Sequence, residues 1–324
     1  MRFHPTEDQR ALRDGVRQLL ARRFDSEALR AAVAAPRLDR VLWRELGEAG
    51  FFALRLPETE GGVGLGLPEA ALVFEEAGRV LLPGPLIATH LAAGAVPGAA
   101  EGEVVVAAVD GGLVEWWGEA DVVRGATAEG AGPEGVVPLR SVDPLTPLHR
   151  VSGTLARSLG PSSASASASA SAASPASGSA SASASAAPVA IASLLTAAEQ
   201  LGTATRACEL AVQHARAREQ FGQPIGGFQA VKHLCADMLV RAEVARAAVY
   251  AAAVTADPTD IAAARLLADE AAQRNTRDCL QVHGGMGFTW ESDVHLHLKR
   301  AWVRSRRGGG GTESEDRLAE ELVT

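Results

Sequence analysis

The stretch Arg218-Glu219-Gln220-Phe221-Gly222-Gln223-Pro224-Ile225 sets a guanidinium, an amide and an aromatic ring beside a glycine, where a long helical pattern stops. A new helix is expected after Gly226-Gly227, opening on Phe228-Gln229-Ala230-Val231-Lys232. An arginine at such a helix end can hold a phosphate through two N–H groups, and the free N–H groups of the next helix favour an anion. The same residues equally suit a plain helix hairpin turned by Gly and Pro. A second stretch, Gln281-Val282-His283-Gly284-Gly285-Met286-Gly287-Phe288-Thr289, offers glycines that let a ligand approach the backbone and an amide, Gln281, that donates and accepts. A glycine-rich stop is also the ordinary end of a helix. His283, His295 and His297 suggest a metal, but His295 and His297 lie two apart on an expected helix and face different ways, so no metal site is expected.

The elements that must position these residues are mostly helical. The apolar share, 47%, is dominated by Ala and Leu, and aromatic residues make up only 4%. Thr6 caps a first helix, with Glu7, Asp8 and Gln9 in its first turn and Leu12, Val16, Leu19 and Leu20 on one face. Further helices run from about Asp39 to Gly50 and from Pro68 towards Gly78, with the Gly-rich turn Pro57 to Gly66 between them. From Gly102 the pattern changes: Val104 to Val106, Val122-Val123 and Val136-Val137 are β-branched clusters separated by Gly and Pro. Residues 162–187, nearly pure Ser and Ala, offer no large side chains to bury and read as a spacer. Helices are then expected over Val189–Gln220, Phe228–Ala256, Pro258–His283 and Glu291–Arg306, with a short acidic helix, Ser314–Leu322, after the glycines at 308–311.

This order gives a mainly α chain with a small central β domain (α+β). The expected units are an N-terminal helical domain over 1–100, a reduced β domain over 101–160, a disordered linker over 161–188, and a C-terminal four-helix bundle over 189–324. The net charge of −8 argues against nucleic acid as the main partner. Cys208, Cys235 and Cys279 are odd in number and lack paired zinc spacing, which points to a reducing, cytoplasmic location. No apolar run is long enough to span a membrane.

Taken in order, the two glycine-bearing stretches and the N-terminal run Leu42 to Gly50 with Leu56 to Gly64 resemble the acyl-CoA dehydrogenase family. The segment Gly287 to Glu291, continued through His295-Leu296-His297-Leu298-Lys299-Arg300, resembles its actinobacterial branch. The resemblance implies an N-terminal helical domain, a central β domain and a C-terminal four-helix domain. It also implies FAD, lying extended across a subunit interface. Carried over by position, Arg218, Gln220 and Phe221 would face the pyrophosphate and adenosine, and Gln281, Gly284 and Gly285 would cradle the pyrophosphate.

The family's reaction removes an α-proton from an acyl-CoA thioester with a Glu carboxylate. Its usual place falls here at Gly308, and its alternative place, ten residues ahead of Gly202, is Ala192. Glu199 lies two turns beyond Ala192, separated by about 10 Å of helix rise, and is a weak candidate. Glu291 is explained by its helix start. Between Glu101 and Arg150 the chain also lacks the Thr-Glu-Pro and Gly-Ser-Asp segment that covers the flavin ring, while Ser141-Val142-Asp143-Pro144 resembles a later strand of that domain. These departures imply the non-catalytic subunit of a hetero-oligomeric acyl-CoA dehydrogenase acting on steroid side-chain or other bulky acyl-CoA thioesters. The alternatives are a self-sufficient, homo-oligomeric dehydrogenase with an unrecognised base, and a non-redox structural or binding homologue.

Overall fold

The computed structural model describes residues 5–125, 135–151 and 180–323, with side chains omitted for 180–187 and 322–323. Helix α1 (Glu7–Arg23) starts on a reciprocal cap: Thr6 Oγ1 accepts from the Gln9 N–H, and the Gln9 side chain accepts from the Thr6 N–H. Helices α2 (Ser26–Ala34) and α3 (Arg40–Glu48) open on Asp25 and Asp39, each accepting from two backbone N–H groups. Helix α4 (Leu67–Val80) carries Pro in its first turn, where no intrahelical N–H bond is lost, and α5 (Leu86–Ala92) follows a short turn. Trp43, Phe51, Phe52 and Phe74 fill the core of this half, with ring centroids 4.6–5.3 Å apart along the series.

The valine clusters become a five-stranded sheet of order β3-β1-β2-β5-β4. Its strands are β1 (Val106–Asp110), β2 (Leu113–Glu115), β3 (Val122–Arg124), β4 (Val136–Leu139) and β5 (Leu148–Val151). β1 and β3 run parallel and the other pairs antiparallel. The first long helix, α6, spans Ala180–Ala217 and therefore begins nine residues ahead of the expected Val189, inside the Ser/Ala tract. The remainder of the expected linker, 161–179, lies outside the described residues.

Helices α7 (Gln229–Thr255), α8 (Pro258–His283) and α9 (Val294–Arg304) complete the bundle with α6, and α10 (Gly310–Val323) packs on α8. Glu291 does not open α9. It precedes the helix by three residues, and its carbonyl accepts from Arg30 Nη2 at 3.1 Å. Among the described residues no helix is long and apolar enough to cross a membrane.

The bundle is joined to the N-terminal half by a close crossing of α4 and α6. A Cβ at Gly78 would overlap the Glu199 carbonyl oxygen, and one at Gly202 would overlap the Glu75 carbonyl oxygen. Gly202→Ala should therefore cost about 1–3 kcal/mol through overpacking. Gly15→Ala, in α1 with nothing near its Cβ, should instead stabilise by about 0.5–1 kcal/mol. Urea unfolding midpoints of the two variants should move in opposite directions.

Candidate functional site

A cavity of about 390 Å³ lies between α5, the first strands, the start of α6 and the end of α9. Helix periodicity brings Ala192, Thr196 and Glu199 to its wall from α6, and Arg300, Arg304 and Arg307 come from α9 and the turn after it. Both positions that the sequence assigns to a base, Ala192 and Gly308, line this one cavity. Neither carries a carboxylate.

Glu199 also lines it, with an Oε1 2.8 Å from Arg304 Nη2, and both side chains are buried. Burial pushes the Glu199 carboxyl above its usual range and the Arg304 guanidinium down to about 10, each offset in part by the other. A carboxylate clamped this way is a structural counter-ion rather than a group free to take a proton from a ligand.

Around this pair, buried arginines fasten the sheet to the bundle. Arg300 donates to Asp143, to the Leu82 carbonyl at 3.2 Å and to the Leu145 carbonyl at 3.3 Å. Arg265 pairs with Asp269 at 2.8 Å and donates to the Arg304 and Arg307 carbonyls, capping α9. Arg307 reaches Asp110 at 3.2 Å and Glu115 at 3.3 Å, and the Gly308 N–H donates to Asp110 Oδ2 at 2.6 Å. Sequence reasoning missed these arginines as a group, although their spacing at 300, 304 and 307 is that of one helix face.

At the far end of α6 the helix expected to reach Gln220 is corrected. The helix stops at Ala217, and Glu219–Gln220 (β6) pairs antiparallel with Gln223–Pro224 (β7). Phe221 and Gly222, at φ 54° and 79°, are the two turn residues, the left-handed pair that a tight hairpin of this kind requires. Asn-Gly usually fills such a turn. Here a phenylalanine holds the strained conformation with its ring 90% exposed.

Gln281 is exposed on the last turn of α8, Gly284 has φ 61°, and Cβ atoms at Gly222, Gly284 and Gly285 would meet nothing within 4 Å. His214 and His283 stack with centroids 4.1 Å apart, joining the ends of α6 and α8. Arg218, Gln220, Phe221, Gln281, Gly284 and Gly285 thus share one end of the bundle, and the exposed Arg218 guanidinium has no ion-pair partner among the described residues. Met286, Phe288 and Trp290 extend the exposed apolar surface beside them. A diphosphate requires such a set, namely a planar cation, an amide and open backbone N–H groups, so these residues fit the ADP half of FAD.

Among the described residues no three His, Cys, Asp or Glu side chains are grouped to hold a metal. His283 Nδ1 donates to the Cys279 carbonyl at 2.8 Å, and His295 packs on Trp290 and Lys299. His297 is buried, and desolvation, reinforced by neighbouring arginines, lowers it to about 3. Unfolding frees His297 to take a proton near its ordinary value, about 6.5, while the folded chain keeps it neutral. Its contribution to stability is complete above pH 6.5 and is lost as pH falls towards 3, at about 1.4 kcal/mol per pH unit. His297→Gln should flatten unfolding free energy against pH by about that slope between pH 6 and pH 4, as chemical denaturation would measure.

Two family models match the chain: acyl-CoA dehydrogenase, N-terminal domain, over residues 6–102, and acyl-CoA dehydrogenase, C-terminal domain, over residues 185–318. The chain is 38% identical over 314 residues to acyl-CoA dehydrogenase IpdE2 of Mycobacterium tuberculosis, covering 92% of each protein. It is 34% identical over 321 residues to IpdE2 of Mycolicibacterium smegmatis, covering 98% of this chain and 99% of the other. Among solved structures, a chain of the ChsE4-ChsE5 complex from Mycobacterium tuberculosis superposes with a TM-score of 0.77 at 25% identity, covering 100% of this chain and 99% of that one. Butyryl-CoA dehydrogenase from Megasphaera elsdenii, 18% identical with a TM-score of 0.78 and 100% coverage of both chains, shares the fold.

Proposed function

The chain belongs to the acyl-CoA dehydrogenase family, and within it we propose that it is the non-catalytic subunit of a hetero-oligomeric enzyme that desaturates an acyl-CoA thioester between its α and β carbons. The observation that carries this reading is the cavity itself: Ala192 and Gly308 stand at both base positions, and the nearby Glu199 is bound by Arg304. A partner chain supplies the carboxylate that removes the α-proton. FAD, held partly by this chain's cradle residues, would supply the acceptor for the β-hydride.

This chain's part is to bind and orient. The Arg218 guanidinium would hold the pyrophosphate, Gln281 and the N–H groups of Gly284 and Gly285 would complete the cradle, and Gln220 and the Phe221 ring would hold the adenosine. The exposed apolar surface around that cradle supports burial against the partner, as does the similarity to one chain of the ChsE4-ChsE5 complex. The substrate class is a bulky acyl group, such as one from a steroid side chain or a fatty acid, and the three free thiols suit the cytoplasm.

The raised Glu199 carboxyl on the cavity wall favours a second reading, a self-sufficient dehydrogenase using Glu199 as base. Purification alone and with an acyl-CoA dehydrogenase chain encoded beside it separates the two. The proposed function requires the oxidised-flavin absorbance band and acyl-CoA-dependent bleaching only in the complex. Bleaching by the lone chain that disappears in Glu199→Gln would establish the second. In the complex, Arg218→Ala should weaken flavin retention about tenfold or more, the scale of a lost charge-assisted hydrogen bond.

A further inference from the structure

A second cavity, of about 370 Å³, lies where α1, α2 and α4 of the N-terminal half meet α6 and the start of α9. It has no lining residue in common with the cavity that holds Ala192 and Gly308, nor with the cradle around Arg218. Its volume falls within the span of small-molecule sites, about 300–1,000 Å³. Leu20, Phe24, Leu29, Val80 and Leu210 make its apolar lining. The polar lining sets Arg17, Arg79, Arg206 and His297 beside Asp25, Glu76 and Asp293.

The acids of this lining are already engaged. Glu76 accepts from Arg17 through both oxygens, at 2.9 and 2.6 Å, and lies 3.3 Å from Arg79. Asp25 accepts from two N–H groups that open α2, and Asp293 lies 3.6 Å from Arg30. Donors are left over. Arg17 spends Nε and Nη2 on Glu76 and keeps Nη1 without a partner among the described residues. Arg206 makes a single contact, 3.4 Å to Glu209, a carboxylate that Arg79 already holds through two bonds. His297 is 4% exposed, and its side chain has no hydrogen-bond partner among the described residues. Its Nδ1 is fully enclosed, which leaves Nε2 as the ring nitrogen facing the cavity.

A surplus of donors calls for an acceptor, and the surrounding charge decides its sign. Burial first, and then Arg206, Arg300, Arg79 and Arg304, keep His297 neutral, and every charge in that series is positive. The Arg17 and Arg206 side chains are 47% and 39% exposed, so an anion can reach them without losing all of its water.

We infer that this cavity binds a small organic carboxylate with an apolar body, its oxygens accepting from Arg17, Arg206 and the Nε2–H of His297 while the hydrocarbon lies against Leu20, Phe24 and Leu29. The ligand sits at the seam between the two halves of the chain, and its binding does not rest on the dehydrogenase reading.

Calorimetric titration of the full chain with 3-phenylpropanoate, 3-phenylpropanamide, 3-phenylpropylammonium and inorganic phosphate separates the chemistries. The carboxylate should bind at least tenfold more tightly than each of the other three. Amide or ammonium binding as tight as the carboxylate would remove the role of charge, and phosphate binding as tight would remove the role of the apolar lining. Either result overturns the inference, as does the absence of carboxylate binding. Two variants locate the ligand. Arg206→Gln leaves Glu209 on Arg79, and His297→Phe keeps a ring of similar shape without its donor. Each should weaken the carboxylate about tenfold, the scale of a lost charge-assisted hydrogen bond, with an unchanged circular dichroism spectrum. Carboxylate affinity unaltered in both variants would place the ligand elsewhere and sink the assignment.

Discussion

The near-contact of α4 and α6 at Gly78 and Gly202 is the constraint on which the other features rest. With no Cβ on either residue, each helix presses its backbone against the other's carbonyls. Thr203 Oγ1 then reaches both the Gly78 carbonyl at 3.3 Å and the Glu199 carbonyl at 3.1 Å, so the crossing is hydrogen-bonded as well as packed. That crossing fixes the rotation of α6. With it fixed, Ala192, Thr196 and Glu199 are presented to the cavity, and the buried Glu75 on the facing helix is left to accept from Tyr250 at 2.6 Å and Arg246 at 3.2 Å.

Against this frame the buried arginines settle geometry more than stability. Desolvating a guanidinium and a carboxylate costs about as much as their attraction returns, so a buried pair adds little net free energy while its disruption is severe. The pairs here span elements distant in the chain: Arg300 with Asp143, Arg304 with Glu199, and Arg307 with Asp110 and Glu115. Each joins α9 or its following turn to the sheet or to α6. The sheet is small and its strands short, and these bonds give it a fixed seat on the bundle and the cavity between them a fixed shape.

Much of the fold is legible in the sequence because its signals are local. The Thr6 and Gln9 cap appears as expected, and the helix expected over Pro258–His283 has those bounds, since a proline at its start and glycines at its end act within one turn. Signals that depend on distant pairing fail. β2 and β5, three and four residues long, carry too little pattern to be recognised and exist through pairing with each other. Helix α6 ends earlier than its sequence suggests because Arg218 to Gln220 have acceptable helix propensity, whereas Pro224 and the left-handed turn at Phe221-Gly222 divert the backbone into a hairpin. Of the candidate site, the six residues named from the sequence come together at one end of the bundle because both stretches follow the ends of neighbouring helices. The counter-ion role of Glu199 is not legible there, because Arg304 lies more than a hundred residues away.

Helix α6 holds the cavity and the cradle residues far apart. The cavity meets this helix at Ala192 to Glu199, and the cradle begins just past its last residue, Ala217. At 1.5 Å per residue, the 18 steps from Glu199 to Ala217 correspond to about 27 Å along the axis, and those from Ala192 to about 37 Å. The two sites therefore lie at opposite ends of one helix, and its length sets the distance between them. Phe221 stands at the far end in a left-handed conformation held at a conformational cost, its ring edge-on to Phe228 with centroids 6.0 Å apart.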